Sequence, residues 1–140
     1  MRNRSPKWIE VEQLDNVCVL NHGKLNSTAI HLEGGRSAVY SPVSGASSAI
    51  KEFSSDEREI AFLIAPNHYH NKGLIEYVEA FPNAKLVCSD KARPRLEKQT
   101  GLNFQSQRSG TNVYSIGVYL ECSTIIFGML SNQIRIQCHK

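Results

Sequence analysis

The stretch EIAFLIAPNHYHNKGLIEYVEAFPNAKLVCSDKA, Glu59 to Ala92, decides how this chain is read. It opens with an unbroken apolar run, Ile60 to Ala65, of the kind that forms a strand buried on both faces under covering helices. Pro66 ends the run. Two histidines, His68 and His70, follow one residue apart, and a helical pattern starts at once. Asn71 stands as its candidate N-cap, and Leu74, Ile75, Val78 and Phe81 form one apolar stripe. Pro82-Asn83 stops that helix, and Ala84 to Cys88 reads as the next strand. Ser89-Asp90 offers caps for a second helix, Pro94 suits its first turn, and Gly101 ends it. The order strand, helix, strand, helix from Glu59 to Thr100 predicts a βαβ unit with a parallel strand pair.

Upstream, the pattern is one of strands and turns. Val17, Val19 and Leu20 lie in an apolar segment broken by Gly23. Ala29, Ile30 and Leu32 lead into Gly34-Gly35, and Ala38-Val39-Tyr40 leads out, which predicts a hairpin closed by Pro42 and Gly45. His31 alternates with Ile30 and Leu32 and is expected on the opposite face of its strand, toward solvent. SSAIKEF, Ser47 to Phe53, reads as a short helix. Beyond Gly101 a polar loop precedes three further apolar segments, SIGVYLE, STIIFGML and QIRIQC, read as antiparallel strands.

Composition narrows the function classes. The 140 residues are 41% apolar and 21% charged, as in an ordinary globular domain, so one domain spanning 1–140 is expected. The longest apolar window, Ile125 to Leu130, is far too short to cross a bilayer, and no signal-peptide core follows the basic start, whose Arg2, Arg4 and Lys7 read as a short solvated arm. The expectation is a cytoplasmic protein without a membrane partner. The net charge of +3 is small, and the Lys91, Arg93, Arg95, Lys98 group is interrupted by Glu97, which argues against nucleic acid as a partner. Four cysteines, Cys18, Cys88, Cys122 and Cys138, lie far apart with no C-x-x-C pair and read as reduced thiols, mostly small core residues.

From His68-Tyr69-His70 outward the chain resembles the metallo-β-lactamase fold superfamily. The resemblance is carried by the glycine-paired hairpin TAIHLEGGRSAVYSPVS, the buried strand IAFLIAPN, the H-x-H element, and the helix, Phe-Pro-Asn turn and strand of GLIEYVEAFPNAKLVCSD. It covers about Val17 to Gly101, and residues 102–140 match poorly. It most resembles a branch of short, uncharacterised members with Pro-Asn before a degraded histidine motif. It implies an α/β fold, a shortened αββα sandwich: N-terminal β-hairpins, then the βαβα unit, then C-terminal strands.

The same resemblance implies a motif H-x-H-x-D-H that holds two zinc ions in active members. Here His68 and His70 match its first two positions, but Lys72 stands at the aspartate and Gly73 at the last histidine. The next acid, Glu76, is already one turn into the helix. Zinc takes about four ligands, three of them from the protein in most catalytic sites. A lysine ammonium cannot ligate while protonated and repels a dication. A third ligand would have to be His22, His31, His139 or a cysteine. The expectation is therefore no catalytic residue and no cofactor, and a binding or scaffold role or a relic. The alternative is a metal-dependent hydrolase with an atypical mononuclear zinc site on His68 and His70. A third reading has Asn67, His68, His70 and Lys72 bind a phosphate or carboxylate through cationic and backbone donors. The chain holds the first half of the two-sheet fold and a few strands more. Self-association through the sheet face or the C-terminal strands is then one way to bury apolar surface, and an abbreviated second layer or a truncated relative are the others.

Overall fold

The computed structural model describes residues 6–46, 48–50, 52, 59–69 and 71–105. Among the described residues, six strands form a single sheet in sequence order: β1 (Trp8–Val11), β2 (Leu14–His22), β3 (Leu25–His31), β4 (Arg36–Tyr40), β5 (Glu59–Ala65) and β6 (Lys85–Cys88). Two helices, α1 (Leu74–Ala80) and α2 (Arg93–Thr100), follow β5 and β6. The strands expected C-terminal to Gln105 lie outside the described residues, as do His70, Cys122, Cys138 and His139. Among the described residues, no helix is long and apolar enough to cross a membrane.

The first four strands are antiparallel hairpins. Gly23, at φ 64°, turns β2 into β3, where His22 pairs with Leu25. Gly34 and Gly35, at φ 73° and 71°, turn β3 into β4, where His31 pairs with Ser37. These backbone angles favour glycine because a Cβ would crowd the neighbouring carbonyl. From β4 onward the pairing becomes parallel: Val39 faces Leu63 across β4 and β5, and Leu63 faces Leu86 across β5 and β6. The expected βαβ unit is present. β1 was not expected: Trp8 to Val11 extends what read as a polar arm, pairing Trp8 with Leu20 and Ile9 with Val19.

Strand alternation sends Cys18, Ala29, Val39, Leu63, Ala65 and Cys88 to one face, where they pack with Leu74 and Tyr77 of α1 and Leu96 of α2. Ile50, in the helical residues 48–50, joins the same cluster. Trp8 packs there as well, also covering Leu20, Ala46 and Ala49. The other face, with Val17, Ile30, Ala38, Ile64 and Val87, is buried too. The sheet is thus apolar on both sides, as the run in β5 required.

The helices refine the expected pattern. In α1 the core side is Leu74 and Tyr77, both fully buried, whereas Ile75 is 47% exposed. Gly73, not Asn71, is the N-cap, and it makes no side-chain cap bond. Asn71 instead gives its backbone carbonyl to the N–H of Leu74 and its side-chain amide to Gln99 Oε1, 2.9 Å away. Pro94 lies in the first turn of α2, and Gly101 ends that helix at φ 71°, donating its N–H to the Glu97 carbonyl. Ser89 takes the N–H of Ala92 on both its carbonyl and its Oγ, which tightens the turn into α2.

Candidate functional site

In open α/β sheets, ligands bind beyond the carboxyl ends of the parallel strands. Three chain segments leave the sheet there: Ser41 after β4, Pro66 after β5 and Ser89 after β6. Ser41 is buried and held at φ 57°, an uncommon angle for a residue with a Cβ, while its N–H donates to the Ile64 carbonyl at 2.8 Å. The parallel ladder therefore runs one residue past β4, and the chain then turns sharply at Pro42.

That turn is pinned from two other directions. The Gly45 N–H donates to Glu76 Oε2 of α1 at 2.8 Å. A Cβ on Gly45 would lie 3.2 Å from His22 Nε2, so the ring at the end of β2 borders the same loop. The tightest contact is at Gly73. A Cβ placed there would sit 2.2 Å from the Pro42 carbonyl oxygen and 2.7 Å from the Val43 carbonyl carbon. The first turn of α1 lies directly on the backbone of residues 42–43, with no room for any side chain.

After β5, the Asn67 side-chain oxygen accepts the Tyr69 N–H at 2.9 Å, a local turn that folds the segment back on itself. The His68 and Tyr69 rings lie 3.9 Å apart, centre to centre, at 40°. Tyr69 is 76% exposed and packs one side of its ring against His68. Among the described residues, His68 Nε2 is buried without a hydrogen-bond partner. Lys72 is exposed on the way into α1.

Of the residues singled out in the sequence, Asn67, His68 and Lys72 fall in this one segment at the strand ends, and His70 lies outside the described residues. Glu76 and His22 border the neighbouring loop. Their place there depends on the fold of residues 41–45, which carries no motif beyond Pro42 and Gly45. His31 is not the solvent-facing histidine expected. It is part-buried on the helix-covered face, with Nε2 3.3 Å from Cys18 Sγ and Nδ1 2.9 Å from Ser37 Oγ. Both ring nitrogens are engaged far from the strand ends, so His31 cannot serve as a third ligand beside His68.

The fit to a metal follows from these contacts. A second zinc on the family pattern would need a histidine at Gly73 and an acid at Lys72. The first is sterically closed and the second is a cation. Among the described residues, no group of three His, Cys, Asp or Glu side chains is placed to hold a metal ion. Among the described residues, His68 Nε2 is one candidate donor, buried without a hydrogen-bond partner.

No family model matches the sequence, and no curated protein matches it. Solved structures do match the fold. The chain is similar to the metallo-β-lactamase FIM-1 from Pseudomonas aeruginosa, solved in a mono-zinc form, at 14% identity and a TM-score of 0.54, over 76% of this chain and 51% of that one. It is similar to a metallo-β-lactamase from Hirschia baltica at 10% identity and a TM-score of 0.55, over 78% and 54%. It is also similar to a fragment of a diflavin flavoprotein from Nostoc at 17% identity and a TM-score of 0.51, over 79% and 52%. The chain spans about half the length of these relatives. Over the matched residues it has a metallo-β-lactamase-like fold.

Proposed function

We propose that this chain is a non-catalytic binding module that uses the strand-end cleft of a hydrolase-type fold to hold a small anionic group. The observation that carries this reading is the buried Nε2 of His68, without a hydrogen-bond partner among the described residues, in the same short segment as Lys72. An unsatisfied buried polar atom costs about 1–3 kcal/mol, which a ligand group would recover. Whether that ligand is a cation or an anion is decided by charge. A lysine where the family places an acid disfavours a dication and favours a phosphate or carboxylate oxygen accepting from His68 Nε2–H.

The recognition rests on side chains. α1 has only seven residues, and the N–H groups of Leu74 and Tyr77 are already taken by the Asn71 and Gly73 carbonyls. Asn67 contributes through the turn it builds around His68. Titrating the protein with inorganic phosphate under amide-resolved NMR is expected to shift Asn67 to Gly73 first, and Lys72→Ala is expected to weaken the response by about tenfold. Shifts spread evenly over the surface, or unchanged in the variant, would overturn the reading.

A second reading is favoured by the same orphan nitrogen. With His70 as a partner, His68 Nε2 would hold one zinc ion, which would supply an activated water for a hydrolase. Glu76 Oε2 already accepts from the Gly45 N–H, and both ring nitrogens of His31 are engaged by Cys18 and Ser37, so the third ligand of such a site is not His31.

A further inference from the structure

Cys18, His31 and Ser37 sit on three successive strands and share one face of the sheet. The register brings them together: His31 pairs with Ser37 across β3 and β4, and Cys18 pairs with Ala29, two residues before His31, across β2 and β3. Cys18 Sγ lies 3.3 Å from His31 Nε2, and His31 Nδ1 lies 2.9 Å from Ser37 Oγ. Ser37 is fully buried, Cys18 is 7% exposed and His31 is part-buried. The Asn16 side-chain amide approaches the His31 carbonyl at the exposed edge of this group.

We propose that Cys18 is a modification site, an oxidisable thiol that reacts with small hydroperoxides. With the ring proton on Nδ1 and donated to Ser37 Oγ, the Nε2 lone pair faces the thiol and takes its proton. The thiolate attacks one peroxide oxygen, an S–O bond forms, and the O–O bond breaks. The hydroxide that leaves accepts the proton from His31 and departs as water. Cys18 is oxidised to a sulfenic acid and hydrogen peroxide is reduced to water. Cys18 is 7% exposed and packs in the core cluster, so the reagent proposed is a two-oxygen molecule and not a bulky disulfide.

The chain contains its own comparator. Cys88 is buried and outside any disulfide, and among the described residues no histidine is placed beside it as His31 is beside Cys18. Burial pushes its thiol up to about 11; Arg93 opposes this, and Glu97 and Asp90 add to it. Cys88 is therefore held protonated and unreactive at neutral pH.

The test is to expose the folded wild-type protein to hydrogen peroxide at neutral pH with a sulfenic-acid trap, and to quantify trapping by peptide mass spectrometry. Cys18 is expected to be trapped at least about tenfold faster than Cys88. His31→Gln is expected to slow Cys18 by about tenfold and leave Cys88 unchanged. Equal rates at the two cysteines in the wild type would overturn the proposal. So would a folded His31→Gln protein in which Cys18 keeps its rate. If that variant does not fold, the wild-type comparison decides alone.

Discussion

Gly73→His is expected to cost the protein about 3 kcal/mol of stability or more, enough to unfold a marginal domain of this size. The reason is local and steric. A Cβ at this position meets the Pro42 carbonyl oxygen at 2.2 Å and the Pro42 carbonyl carbon at 2.5 Å. Those are backbone atoms in a loop pinned by the Ser41 N–H to Ile64 and by Gly45 to Glu76, so the obstacle cannot rotate away as a side chain would. Gly73→Ala separates this effect from histidine's bulk. Gly73 has right-handed helical angles, φ −84° and ψ −15°, which alanine adopts without strain, although an N-cap prefers glycine to alanine by up to about 1 kcal/mol. A loss of stability on Gly73→Ala clearly beyond about 1 kcal/mol, read as a lower urea midpoint at unchanged slope, therefore reports the contact. A neutral or stabilising Gly73→Ala would show that the loop gives way. The functional consequence is direct. Rebuilding the family motif with Lys72→Asp and Gly73→His is expected to yield a destabilised protein and no dinuclear centre.

Tyr77 gives the second large effect, and its two truncations should part company. Its ring is fully buried among the residues that join α1 to the sheet, and among the described residues its hydroxyl is buried without a hydrogen-bond partner. Tyr77→Ala is expected to cost about 3–5 kcal/mol through lost burial and the cavity left behind. Tyr77→Phe removes only the unsatisfied hydroxyl and is expected to be neutral or stabilising by about 1 kcal/mol. Burial, aided by the charge of Glu76, holds the Tyr77 hydroxyl well above its ordinary value of 10. Because the folded value is raised, the stability linked to this group is intact below pH 10. It is lost as pH rises further, when the unfolded chain ionises and the folded one does not. The alkaline unfolding midpoint should therefore be higher in Tyr77→Phe than in the wild type. An equal loss in Tyr77→Phe and Tyr77→Ala would mean that the hydroxyl does find a partner.

What the sequence made legible follows the range of the forces involved. The β5, α1, β6, α2 order was readable because its signals are local: the run Ile60 to Ala65, the stop at Pro66, the Phe-Pro-Asn turn and the glycine at 101. β1 was not, because Trp8 to Val11 is too short to show a period and gains its partners from Leu20 and Val19, across a turn. Ile75 and Tyr77 both fit an apolar helix pattern, and only the position of the sheet beneath selects Tyr77. Alternation correctly sent His31 to the face opposite Ile30. It could not say that helices also cover that face, which is why a surface histidine was expected and a Cys18 contact was found. The candidate site was legible in its segment, Asn67 to Gly73. Its closed part was not, since no pattern in residues 41–45 announces that a loop backbone will fill the place of a side chain at Gly73.

The claim that the strand ends form a binding cleft without a hydrolase's metal centre is tested most directly by zinc content. The purified chain and a His68→Ala/His70→Ala variant would be incubated with excess zinc, freed of loose metal by gel filtration and subjected to elemental analysis. The proposal predicts no stoichiometric zinc in either protein. One or more zinc ions per chain in the wild type, lost in the variant, would contradict it and assign His68 to metal chemistry.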